Sequence, residues 1–309
     1  MWYPHHDGSR MTQSGDTQLD LDAMIKLREK ARGLVPGLRS QALSPAPSSR
    51  RSLLRSRGME FDEARLYQPG DDARNIDWRV TARRGEPYTK LFREERERPV
   101  FILADLHPGM YFGTRRVFKA TLAMELAALI AWAAEAAGDR VGGLVAGGEH
   151  HDELPPRSRQ PGVLQLLHSL DRLQPRRPGE LRSGQLDTVL GRLQHIAHPG
   201  SLIIVLSDFQ QMGPALRASI SALRQHNDLR IGFISDPLEA QAPHVGRLRL
   251  GSPERRIEVD TDSPRLRQQW QALFQQRLDE ISDICRQTRT PLQRFETADD
   301  PLPSLRGLL

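Results

Sequence analysis

The chain has 309 residues, with 44 Lys and Arg against 39 Asp and Glu for a formal charge of +5, and a single cysteine, Cys285. That length can bury one large core or two ordinary ones without a metal or disulfide staple, and one cysteine excludes a disulfide framework and any CxxC motif. The positive charges are mostly Arg interleaved with acids, which reads as a solvated, ion-paired surface and argues against a nucleic-acid partner.

Residues 1–18 are polar, lack the apolar core and cleavage site of a signal peptide, and read as a disordered tail. Leu19 to Val35 carries Leu21, Met24, Ile25, Leu27 and Ala31 at near-helical spacing, with acids first and bases last, as the helix dipole favours. Pro36-Gly37 stops this helix before a linker, Ser44 to Ser49 (SPAPSS), so residues 19–49 form an N-terminal helix and linker. Residues 50–98 are charged and turn-rich, with short strands expected at Met59 to Phe61, Asp77 to Thr81 and Tyr88 to Arg93 and a tight turn at Pro69 to Asp72. Their apolar content is too small for a core of their own, so this segment is expected to dock on the strand-and-helix region from residue 99 onward.

Residues 99–309 alternate strand and helix. Val100 to Ala104, Ser201 to Leu206 and Leu229 to Ile234 are continuous apolar runs, the pattern of strands covered on both faces. Arg140 to Ala146 reads as a fourth strand and His150 to Ser158 as an edge strand or loop. Helices are expected at Arg115 to Ala137, Gly162 to Leu173, Leu186 to Ala197, Pro214 to His226 and Pro264 to Thr288, with a hairpin at Arg247 to Val259 and a last strand at Pro291 to Glu296. The most apolar helix contains Glu125 and Glu135, which are costly in lipid, so it is read as a core helix and no direct membrane insertion is expected. The fold class is α/β, a mainly parallel, Rossmann-like sheet with helices on both faces.

In such sheets ligands sit at the carboxyl ends of the strands, where Asp105 and Asp208 close two of the buried runs. The loop Asp105-Leu-His-Pro-Gly-Met110 before a helix, with Ser207-Asp208 further on, resembles a von Willebrand factor type A domain, whose D-x-S-x-S loop, distant Thr and distant Asp form a metal-ion-dependent adhesion site. Together with the box G-M-E-F-D-E-x-R-x-Y-Q-P-G-D-D-x-R-x-I-D-W-R-V-T-A-R from Gly58, the run KLFREERERPV and the later WAAEAAGDRVGG and SDF, the chain from Arg50 onward is identified as similar to the bacterial family catalogued as domain of unknown function 58. That resemblance implies a von Willebrand type A-like sheet, and as partners a MoxR-type AAA+ ATPase and other von Willebrand type A proteins. It also implies a cytoplasmic chain of the branch without transmembrane helices, held at the inner membrane only through a partner.

The metal-site pattern is incomplete. His107 and Gly109 stand where hydroxyls are wanted, and SGQLDT offers only Gly184 or Gln185 where the Thr should lie, with Thr188 inside the helix. Asp105, His107 and Asp208 are therefore read as a degenerate metal site, with a divalent cation the only cofactor it would take and none required. Gly70, Asp71, Asp72, Arg74, Asp77, Trp78, Arg79 and Arg83 of the GDDARNIDW box lack a nucleophile with an oriented base, and are read as an ion-paired docking frame with Trp78 as apolar anchor. The expectation is a non-enzymatic interaction module, an adaptor of the ATPase; the alternative is a metal-dependent phosphohydrolase using Asp105, His107 and Asp208.

Overall fold

The computed structural model describes residues 19–35, 59–68, 76–94, 97–177, 184–251 and 256–309. The expected tail at 1–18, the linker at 44–49, the turn at 69–72, and Gly70, Asp71, Asp72 and Arg74 lie outside the described residues. There are two compact units, one within residues 45–97 and one made of the described residues before 45 and from Arg98 on.

The chain begins with α1 (Leu21–Lys26) and α2 (Arg28–Ala31), running into a 3-10 turn at Arg32–Leu34. Asp20 caps α1 by accepting the Ala23 N–H at 2.7 Å, and Met24, Leu27, Ala31 and Leu34 supply a buried stripe at helical spacing.

In the smaller unit, β1 (Met59–Leu66) pairs antiparallel with β2 (Tyr88–Glu94), its register shifting between Phe61 and Glu63. Between them stands α3 (Trp78–Arg84), where a strand was expected. The helix wins because Asp77 accepts the N–H groups of Arg79 and Val80, at 3.0 and 3.1 Å, and Gly85 closes the other end at φ 76°. Trp78 is 70% exposed on α3.

The larger unit is built on β3 (Pro99–Asp105), α4 (Lys119–Ala137), β4 (Arg140–Ala146), β5 (His151–Ser158), α5 (Gln160–Leu173), α6 (Gln185–Ile196), β6 (Leu202–Ser207), α7 (Leu216–His226), β7 (Asp228–Ser235) and α8 (Pro237–Ala240). A separate hairpin of β8 (Arg247–Gly251) and β9 (Arg256–Asp260) precedes α9 (Pro264–Thr288), β10 (Leu292–Glu296) and α10 (Pro301–Leu308). The sheet order is β10-β7-β6-β3-β4-β5, parallel except for β5, which returns antiparallel along β4. Counted along the chain, this is the 3-2-1-4-5-6 order of doubly wound sheets.

Burial alternates along the strands. Val100, Ile102 and Ala104 face a core shared with α1, α4, α5 and α10, while Phe101 and Leu103 face one shared with α6, α7 and α9. The N-terminal helices lie on α4: the Trp132 indole donates to Met24 O at 3.0 Å, and the Arg28 guanidinium stands 5.1 Å over the same ring. Among the described residues α4 is the one helix long and apolar enough to cross a membrane, and it is packed into the core. It starts at Lys119 rather than Arg115, because Gly113 lies against the backbone of Val117 and Phe118, too close for even a Cβ.

Candidate functional site

The strand order reverses between β3 and β6, so the loops after these strands diverge and leave a crevice. Four ionisable side chains converge there. Asp208 follows β6, beside a buried Phe209 held at φ 54° and packed 6.1 Å from the Phe233 ring. His107 follows β3 and caps the 3-10 turn Pro108–Met110. Lys119 opens α4, and Glu239 stands in the first turn of α8, fixed by a capping box in which it accepts the Asp236 N–H at 3.1 Å.

These groups form one chain of charge. Lys119 Nζ donates to Asp208 Oδ2 at 2.6 Å and to Glu239 Oε1 at 2.8 Å. Asp208 Oδ1 lies 3.0 Å from His107 Nε2 and accepts the Gln210 N–H at 3.0 Å. The Gly109 N–H donates to His107 Nδ1 at 3.0 Å, so the ring proton sits on Nε2 and is given to Asp208. Gln210 Nε2 also donates to Glu239 Oε1, at 2.7 Å. Behind them, Ser207 Oγ donates to Asp105 Oδ2 at 2.7 Å and accepts the Phe209 N–H at 3.1 Å.

Burial would push Asp208 up, but the Lys119 ammonium and His107 hold it well below the usual carboxylate range. Burial would strip the proton from Lys119, yet Asp208 and Glu239 outweigh it and raise the ammonium's pKa. Among the described residues Asp105 has no such ammonium in contact: burial and the nearby Asp208 raise it despite His107 and the Ser207 hydroxyl. Burial lowers His107, while the Asp208 and Asp105 carboxylates more than reverse this. A second proton on that ring would face the Gly109 N–H, so the hydrogen bonds favour the neutral Nε2–H form.

The structure thus brings His107 and Asp208 into contact and sets Asp105 next to both. The donor set does not fit a resident divalent cation. Asp208 has both oxygens committed, His107 both nitrogens, and the position between Asp208 and Glu239 holds the Lys119 ammonium. Among the described residues no group of three or more His, Cys, Asp or Glu is arranged to hold a metal ion. Gly184 precedes α6 and Gln185 donates to the carbonyls of Gly147 and Gly148, while Thr188 is inside the helix, its hydroxyl on Gly184 O. Ser207 bonds Asp105 rather than His107.

Sequence reasoning missed Lys119 and Glu239. The signal for Lys119 is a single cation at the head of a mostly apolar helix whose other charges, Glu125 and Glu135, are both acidic; Glu239 carried only a helix-start pattern, Asp236-Pro-Leu-Glu239. Of the box, Asp77 serves as a helix cap and Trp78, Arg79 and Arg83 are exposed on α3.

An uncharacterized protein of Mycobacterium tuberculosis, Rv1480, is 29% identical over 254 residues, which is 80% of this chain and 78% of that protein. The uncharacterized protein Mb1516 of Mycobacterium bovis matches to the same extent. Among solved structures, the conserved hypothetical protein BatB from Bacteroides thetaiotaomicron is similar with a TM-score of 0.46 and 15% identity, over 68% of this chain and 96% of that one. An uncharacterized membrane spanning protein from Vibrio fischeri follows at a TM-score of 0.24 and 16% identity, over 67% and 94%. The family described as Protein of unknown function DUF58 matches residues 63–279, more than half of the chain, and the chain belongs to that family.

Proposed function

We propose that the chain is a non-enzymatic interaction module on a von Willebrand factor type A-like sheet, in which a tethered ammonium replaces the metal ion, and that it serves as an adaptor of a MoxR-type AAA+ ATPase on the cytoplasmic side of the membrane. The observation that carries the first part is Lys119 Nζ, buried at hydrogen-bonding distance from both Asp208 and Glu239. A fixed lysine supplies positive charge there but offers no open coordination position for water or substrate, as a catalytic cation would. The loops around it are held in shape by the ion pairs, which suits a surface that must present one form to a protein partner. The choice of ATPase rests on the family resemblance.

The test is a pull-down of the full chain with the AAA+ ATPase from its own gene cluster, with and without ATP. Association is expected, and its absence under both conditions overturns the partner. Added magnesium or manganese is expected to leave the melting temperature unchanged; a saturable rise that disappears in Asp208→Asn would instead support the metal-dependent phosphohydrolase.

A further inference from the structure

Along α9, Leu266, Trp270, Leu273, Phe274 and Arg277 recur every three or four residues and so form one stripe on the helix. With Glu239 they line an open groove of about 420 Å³, and from Leu266 to Arg277 the stripe is about 16 Å long at 1.5 Å per residue. Trp270 is fixed in the wall by its indole N–H, 3.0 Å from Leu238 O and 3.1 Å from Glu239 O. Leu273 is 70% exposed, an apolar side chain with no cover.

Arg277 ends the stripe, its guanidinium 5.4 Å from the Phe274 ring centre and 5.8 Å from that of Phe233. The Glu239 carboxylate is ion-paired with Arg277 at 3.7 Å, beyond hydrogen-bonding distance, and already accepts hydrogen bonds from Lys119, Gln210 and the Asp236 N–H. Arg277 Nε is buried without a partner, and among the described residues no hydrogen bond reaches its other nitrogens. A guanidinium has five donors in a fork that matches a carboxylate. Here the guanidinium stands in a groove walled by the apolar Leu266, Trp270, Leu273 and Phe274 and by the polar Gln210, Glu239 and Gln269.

We propose that this groove is a docking site for a segment of a partner protein that sets a carboxylate against Arg277 and a large apolar side chain against Leu273 and Trp270. The length of the stripe and the exposure of Leu273 suit a stretch of polypeptide laid along the helix rather than an enclosed small molecule. The inference deepens the interaction-module reading and does not depend on the ATPase.

The full chain is titrated with fluorescent short peptides that combine one Glu with one Leu or Trp at different spacings, and with the same peptides carrying Gln for Glu. The expected result is an acidic peptide bound about ten-fold or more tightly than its Gln counterpart. Binding is lost in Leu273→Glu, whose exposed position leaves the melting temperature unchanged, and falls about ten-fold in Arg277→Lys, which keeps the charge and loses the fork. No bound peptide, equal binding of the Glu and Gln forms, or binding that survives Leu273→Glu overturns the proposal. So does phenylpropionate binding as tightly as the best peptide, which would mark a site for a small carboxylate. The ATPase is absent from these titrations, so their failure and that of the pull-down are read separately.

Discussion

Lys119 Nζ lies 2.6 Å from Asp208 Oδ2, and neither side chain has any exposure to solvent. The contact ties the first turn of α4 to the loop after β6 across 89 residues of sequence. Taking both charges out of water costs several kcal/mol for each ion, offset only because His107, Gln210 and Glu239 complete the hydrogen bonding.

Removing one partner leaves the other buried and uncompensated. Lys119→Met is expected to cost about 3–5 kcal/mol in urea unfolding. Lys119→Met combined with Asp208→Asn removes both charges while the amide oxygen still accepts from His107 and Gln210, so the double variant is expected to be more stable than Lys119→Met alone by about 1 kcal/mol or more. Equal losses would mean that the lysine matters through packing and not charge.

The two buried aspartates act on stability with opposite signs. Asp208 is depressed below its unfolded value of about 3.9, so its contribution is present above that pH and is lost as pH falls through the folded pKa. Asp105 is raised, so the folded state holds its proton more tightly; its contribution is present below pH of about 3.9 and is lost as pH rises through the folded value. Asp208→Asn should therefore flatten the loss of stability in acid, while Asp105→Asn should steepen it. At neutral pH Asp105→Asn should also be the cheaper substitution. Denaturant titrations across the acid range check this, and the reverse ranking at neutral pH would contradict it.

The central strands were legible because β3, β6 and β7 are covered on both faces and so appear as unbroken apolar runs, and α9 because Pro264 opens a long amphipathic pattern after a Ser cap. The error at α3 came from Trp78, Val80 and Thr81, whose strand preference is weaker than the Asp77 and Gly85 caps on either side. At the site, Asp105, His107 and Asp208 were visible as strand-end residues, whereas the partner that decides their chemistry was not. Lys119 meets Glu239 from 120 residues away, and no local pattern encodes a pairing made by the order of the strands.

Two glycines separate what backbone approach requires from what the chain merely tolerates. A Cβ on Gly143 of β4 would lie 2.2 Å from Ile102 O in the paired strand β3. Gly143→Ala must force the two central strands apart, and a loss of about 3 kcal/mol or more is expected. Gly191 sits in α6 with nothing near its missing Cβ, so Gly191→Ala should gain about 0.5–1 kcal/mol. Thermal or urea unfolding of the pair checks both signs.

Cys285 reports on these changes from inside the core. It is 3% exposed near the end of α9, and burial pushes its thiol up to about 12. Since the thiolate is the reacting species, the folded chain should not react with Ellman's reagent at mildly alkaline pH, while the chain in concentrated guanidinium chloride should react at once. Any slow labelling in native buffer then requires opening of the core under α9. Its rate should rank with stability, faster in Gly143→Ala and slower in Gly191→Ala. Rapid labelling of the unaltered chain, with its circular dichroism intact, would place the thiol at the surface and α9 in a different packing.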